Sequence, residues 1–438
     1  MPSRWLAGAA ALAVTLSVSH AWGGAEHAHS KAADKPQNAA TVTSPGRARL
    51  PPLGATLESV LAAGRQLNPS LRAAALETSA AAAKAAGADA LDDPVVSDSY
   101  QYYRNPNVFS GHAIAVTQAF PLWGKRDLRR EAALADLDAA RGREQAARDA
   151  LDERIKITFA QYYVATRALA VSQEVIAVMR GMRFTAEARY AAGTGDQAAA
   201  IRALGEETSA SIETTRLEGD RAAAREVLNS LLARPADAPL ADPLRLRRNP
   251  ATELSITSLV DRARNGSPSL AASGAEVSAA RSRAALAEKA WYPDLTVGAG
   301  PLVQTNNRPP GIAATIGLNI PLPWGREASE QQVATAQLGA AQQHYEAALL
   351  DIQSALAEAR EKLKAAQRAE ALIARKALPE ARAAFKSVLS DYSQGRGDLG
   401  AALETEHRVQ DLELKLLQIE LDEQTALAGI ERLIGGEL

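Results

Sequence analysis

The sequence contains no cysteine. That excludes disulfides, thiolate metal sites and a cysteine nucleophile. Methionine is nearly absent, with three in 438 residues, one of them the initiator. Only Met179 and Met182 remain beyond it, too few for a thioether relay for a soft ion such as Cu(I). Aromatics make up 4%, too few for a conventional enzyme core of this length. There is no excess of basic charge either, 49 Lys+Arg standing against 51 Asp+Glu, which argues against a nucleic-acid partner. No apolar run reaches 18 residues, so no transmembrane helix is expected. What the chain has instead is alanine laced with charge, a composition suited to long helices packed closely side by side.

Residues 1–21 read as a signal peptide. Arg4 supplies a basic start, Trp5 to Val18 an uncharged apolar stretch, and Ser19-His20-Ala21 a small-residue cleavage site. Residues 22–55, punctuated by Pro36, Pro45, Pro51 and Pro52, read as an extended, poorly packed leader.

The remainder is one unit written twice, at 56–248 and 249–438. Asn68-Pro69-Ser70-Leu71 recurs as Ser267-Pro268-Ser269-Leu270, and Pro94 recurs as Pro293. Phe120-Pro121-Leu122-Trp123-Gly124-Lys125 recurs as Ile320-Pro321-Leu322-Pro323-Trp324-Gly325-Arg326. Tyr190 with Gly193, Gly195 and Asp196 recurs as Tyr392 with Gly395, Gly397 and Asp398. Each unit is expected to open with a helix, near 57–90 and 254–290, and then to change period. Residues 95–103, 112–120, 294–304 and 312–320 read as strands. In the last of these, Ile312, Ile316 and Leu318 face one way and Thr315 and Gly317 the other.

Strands of 9–11 residues are long enough to cross a bilayer when tilted in a barrel, though soluble hairpins share that length. Trp123, Trp291 and Trp324 all fall at one end of the hairpins, where indoles would anchor a membrane interface or, equally, a protein core. Four strands cannot close a barrel and lipid tolerates no open edge, so membrane hairpins would require several chains to share one barrel.

Lys125 to Tyr190 and Arg326 to Tyr392 read as very long helices, each about 66 residues and ~100 Å if straight. Two heptad columns run along the first, Ile155, Tyr162, Leu169, Ile176 and Ile157, Val164, Val171, Val178. They lie about 200° apart, which demands a neighbour on each side. The second carries a good seam (Leu349, Leu356, Leu363 beside Tyr345, Ile352, Ile373) and a weaker one (Leu350, Leu378, Phe385). Gly193, Gly195, Gly395 and Gly397 end these helices, and Asp196 and Asp398 stand where N-caps would open the next. Two readings of these turns are open, plain capping and a docking tip. His27 and His29 form only a loose His-x-His pair, His112, His344 and His407 look isolated, and no catalytic motif is present.

Taken together, the paired repeat, the Pro-Leu-Trp-Gly-Lys and Pro-Leu-Pro-Trp-Gly-Arg junctions and the Tyr-x-x-Gly-x-Gly-Asp turns resemble the TolC-like outer membrane efflux proteins, over residues 56–438. The junction wording and Trp291-Tyr292-Pro293-Asp294-Leu295 look most like the heavy-metal branch, the cobalt-zinc-cadmium and copper-silver exporters. Some metal-exporting relatives carry a lipidated N-terminal cysteine, from which this chain departs.

The resemblance implies a mainly α fold with a membrane β part. It implies a homotrimer forming a 12-stranded β-barrel in the outer membrane and an α-helical barrel in the periplasm. It implies as partners a periplasmic adaptor of the membrane-fusion type and a proton-driven inner-membrane pump of the resistance-nodulation-division class, with no cofactor and no enzymatic activity. Related channels carry acidic residues after the second tip turn. Aligned from Tyr392, one such position falls on Glu404 and the other on Ala401, leaving Glu404 as the candidate at the pore entrance, with a simple helix pair to Arg408 as its alternative. Drug or protein export by the same kind of channel is a second reading, and a periplasmic coiled-coil adaptor or scaffold a third.

Overall fold

The computed structural model describes residues 52–104, 110–247, 255–304, 309–322 and 326–438, which belong to one compact unit. The signal-peptide reading, most of the leader, the boundary at 248 and Trp324 lie outside the described residues. The last leader residues are packed, not loose. The Leu53 and Ala55 carbonyls accept hydrogen bonds from Ala241 and Leu244, and Ala55 is buried.

Each opening helix is in fact two: α1 (Leu57–Leu67) and α2 (Pro69–Gly87) in the first unit, α5 (Ile256–Gly266) and α6 (Pro268–Lys289) in the second. A residue before proline is driven out of the α region. Asn68 and Ser267 accordingly take extended backbone, with ψ of 125° and 116°. Asn68 turns the break to use: its Oδ1 accepts from Ser70 N at 2.9 Å and its Nδ2 donates to Leu231 O at 2.9 Å.

The strands are β1 (Val95–Gln101), β2 (Gly111–Phe120), β3 (Asp294–Gln304) and β4 (Gly311–Asn319). They form one antiparallel sheet in the order β1-β2-β3-β4. The β2–β3 ladder joins the two units through Phe120 opposite Leu295 and Ala119 opposite Thr296.

The first long helix, α3, runs unbroken over Lys125–Ala191 and is followed by α4 (Gln197–Leu231). The second is not continuous as expected. α7 (Arg326–Leu372) passes through a π turn at Ile373–Ala377 into α8 (Leu378–Ser393), and α9 (Leu399–Ile434) returns. Pro379 explains the turn: it has no N–H for the carbonyl one turn back, and the wider π turn absorbs the mismatch.

Heptad packing organises the core. Ile155 and Tyr162 are fully buried against α1 and α4, with Val60, Phe159, Leu228 and Leu232. The equivalent cluster in the second unit holds Leu259, Leu270, Ile352, Leu356, Leu427 and Ile430. The second column of α3 is half-buried, Val164 packing against Leu169, Leu217 and Leu417, and Val171 and Val178 against a cluster nearer the helix end. The weaker column of the second unit does not form one seam, since Leu350 is exposed while Leu378 is buried. Between units, buried Glu431 accepts from Lys156 Nζ at 2.8 Å and Arg247 Nη1 at 2.6 Å, tying α3, the connecting segment and α9 together.

Candidate functional site

Strand register sorts the sheet into two faces. Ile312, Ile316 and Leu318 share a face with Val297 and Leu295 of β3, and with Ile114, Val116 and Phe120 of β2. The opposite face carries Thr315, Gly317, Thr296, Gly298, Thr117 and Ser97. The apolar face is uncovered, Ile312 being 85% and Ile316 77% exposed. His112 is not isolated: its Nδ1 lies 3.0 Å from Asp98 Oδ2 on this apolar face, near the end remote from the tryptophans.

At the tryptophan end the chain makes a clasp. Lys125, only 6% exposed, donates from Nζ to Tyr292 O and to Asp294 Oδ1, both at 2.8 Å. The same Asp294 oxygen accepts from Leu122 N at 3.1 Å. Trp123 Nε1 donates to Pro293 O at 2.8 Å, and its ring meets Tyr292 at 5.4 Å between centroids. Trp123 adopts φ +63°, unusual for a bulky residue, and this clasp holds it there. Trp291 Nε1 donates to Gln331 Oε1 at 3.2 Å. Pairing of Phe120 with Leu295 puts Trp123 and Trp291 at one end of the sheet.

At the far ends of the long helices the two turns come together. Gly193 and Gly395 take φ of +71° and +78°, the left-handed conformation that stops a helix. A Cβ on Gly397 would stand 2.8 Å from the Tyr392 nitrogen, so no side chain fits there. Asp196 Oδ1 accepts from Ala198 N at 3.2 Å and Asp398 Oδ2 from Ala401 N at 3.3 Å, so both aspartates cap. A cleft of about 430 Å³ lies between the turns, bounded by Gly193, Gly195, Asp196, Gly397 and Asp398. The Arg189 guanidinium sits 5.3 Å from the centre of the Tyr392 ring.

Glu404 is exposed and lines a groove of about 830 Å³ between α4, α8 and α9, with Glu206, Glu380 and Asp411 opposing Arg202 and Arg408. Glu404 and Arg408 both line this groove, and no ion pair joins them among the described residues. His407 of the same groove lies 3.4 Å from Glu206 and is likewise not isolated.

Sequence reasoning missed Glu406. It is 4% exposed, and its Oε2 has no hydrogen-bond partner. Burial pushes its carboxyl up to about 7, helped by the charges of Glu413, Asp411 and Glu206. The signal was available: Leu399, Ala402, Leu403 and Glu406 follow the spacing of one buried helix face, with an acid as its last member. Among the described residues no helix is long and apolar enough to cross a membrane.

Residues 259–436 match the outer membrane efflux protein family. No curated protein matches the sequence. Solved structures share the fold across both units. The CusC structure, described as showing conformational changes accompanying folding and transmembrane channel formation, superposes with a TM-score of 0.73 at 17% identity, covering 87% of this chain and 92% of that one. The outer membrane protein VceC of Vibrio cholerae gives 0.74 at 18%, covering 87% and 96%. The open MtrE outer membrane channel of Neisseria gonorrhoeae gives 0.72 at 19%, covering 87% and 89%. The fold is therefore that of these channels: mainly helical, with a small β part.

Proposed function

We propose that the chain is the outer membrane exit duct of a tripartite efflux system. Three copies would close a 12-stranded barrel in outer membrane lipid and continue it as a helical tunnel through the periplasm. The observation that carries this reading is the open four-stranded sheet, with one uncovered apolar face and two unpaired edges, set beside helices up to 67 residues long. An isolated sheet of this kind has no stable place in water or in lipid. Closure with further copies removes both edges and gives the apolar face to lipid.

Transport through such a duct is passive. Direction comes from an inner-membrane pump, reached through a periplasmic adaptor that meets the paired turns at Gly193–Asp196 and Gly395–Asp398. Trp123 and Trp291 would then stand at the periplasmic membrane–water boundary of the barrel. Heavy-metal cations are the cargo favoured by the junction wording around Trp123 and Trp324. Nothing in the chain selects a soft ion, since it has no cysteine and two methionines beyond the initiator, so selection would rest with the pump. The deciding experiment is the mass of the detergent-extracted protein by light scattering. A trimer is expected, and a folded monomer near 46.2 kDa would overturn the reading.

A further inference from the structure

The clasp between β2 and β3 has a separated counterpart at the two free edges of the sheet. Within the chain, Lys125 is buried against Tyr292 and Asp294, and Trp123 is tied to Pro293. The repeat puts Arg326 where Lys125 stands in the first unit. Yet the Arg326 side chain is 84% exposed and holds only Glu330, one turn along its own helix. The segment before β1 corresponds to the segment before β3 through Pro94 and Pro293. It presents Asp92 and Asp93, both exposed, and neither carboxylate has a partner among the described residues. One unit thus offers an unburied cation beside the β4 edge, and the other two unpaired acids beside the β1 edge.

We propose that these halves close on each other between copies: Arg326 of one copy reaches Asp92 and Asp93 of the next as β4 pairs with the next copy's β1. This rests on the trimer reading and adds its register. Inside the chain, Phe120 pairs with Leu295 and Ala119 with Thr296. Carried through the repeat, Ile320 pairs with Val96 and Asn319 with Ser97 of the next copy. That register sets Leu318 and Ile316 beside Asp98 and Tyr100, on the face that already holds Val116 and Ile114. A slip of one residue would instead set Leu318 and Ile316 against Ser97, Ser99 or Gln101, on the side of β1 that faces away from Val116 and Ile114. The acids stand one and two positions before Pro94, whereas Asp294 stands one after Pro293. Arginine's longer, forked side chain suits that change better than lysine, since its fork matches carboxylates bidentately.

The chain has no cysteine, so introduced pairs report alone. Full-length protein in isolated outer membranes is oxidised and run on non-reducing gels. Ser97→Cys with Asn319→Cys, and Val96→Cys with Ile320→Cys, are successive pairs in one ladder. One is of the narrow kind and one of the wide kind, both within disulfide reach. At least one is expected to give covalent dimers and trimers that collapse on reduction. Ser97→Cys with Gly317→Cys, displaced by two residues or about 7 Å, is expected to give at least tenfold less. Arg326→Glu is expected to halve the yield of the cross-linked ladder or worse, and Asp93→Arg added to it to restore the yield. If a lysine-reactive cross-linker gives trimers while neither matched pair forms a disulfide, the register is wrong and the trimer stands. An Arg326→Glu ladder equal to that of the unsubstituted pair removes the ionic clasp. Absence of any oligomer with either chemistry overturns the trimer reading itself.

Discussion

Among the described residues, Glu406 is a buried carboxylate without a hydrogen-bond partner. Ionised Glu406 would be a charge held among Leu399, Ala402 and Leu403 with acids around it. Its carboxyl is raised from 4.5 in the free state to about 7 in the fold, so the folded form holds the proton more tightly. Below pH 4.5 both states are protonated and the site costs nothing. As pH climbs from 4.5 to 7 the folded state loses about 3 kcal/mol relative to the unfolded one, and above 7 the loss is complete. Glu406→Gln removes the ionisation, so it should raise the melting temperature at pH 8 and leave it nearly unchanged at pH 4.5. Thermal melts at the two values check this, and an equal shift at both would refute it. Glu406 was legible from its place on a buried helical face. A lone acid in a core belongs to no catalytic spacing, so motif patterns do not single it out.

Among the elements, the strands were legible to within about two residues because alternation is a strong signal when one face is apolar, as from Ile312 to Leu318. The helices were legible in extent and wrong in continuity. Pro69 and Pro268 mark the repeat in the sequence and also end a helix at the preceding residue, which splits each opening helix in two. The π turn before Pro379 was not legible, because it depends on how the surrounding helix is held, which local sequence does not encode. Pairing of β2 with β3 was also beyond local pattern, since it joins residues more than 170 positions apart. The sheet's two faces give a clean test of its surroundings. Ile316 stands opposite Val297 on the apolar face, and Thr315 opposite Gly298 on the other. Ile316→Arg should cost about 2–4 kcal/mol if that position lies near the bilayer midplane, whereas Thr315→Arg should be tolerated in a watery lumen. The measurement is the amount of heat-modifiable oligomer in outer membranes. Equal amounts for the two variants would mean that lipid covers neither face.

On the scale of the whole molecule, the repeat was legible because four ordered matches hold their spacing across about 200 residues, and it carries the architecture with it. Where Glu404 would sit in an assembled tunnel was not legible, because that position would be made by several copies and not by one chain. In the single chain it lines an open groove with Glu206, Glu380 and Asp411, balanced only in part by Arg202 and Arg408. Threefold assembly would bring three such carboxylates toward one axis near the tip turns, where a ring of like charge attracts cations and obstructs those that bind it. Conductance across a planar bilayer separates a ring from a surface acid. With a ring, multivalent cations added on the periplasmic side should block the current, and Glu404→Gln should raise the half-blocking concentration about tenfold. Cations added on the opposite side should block far less, because the barrel separates them from the tips. An unchanged half-blocking concentration in Glu404→Gln would take this residue out of the conduction path and leave the groove as an outer surface of the helical wall.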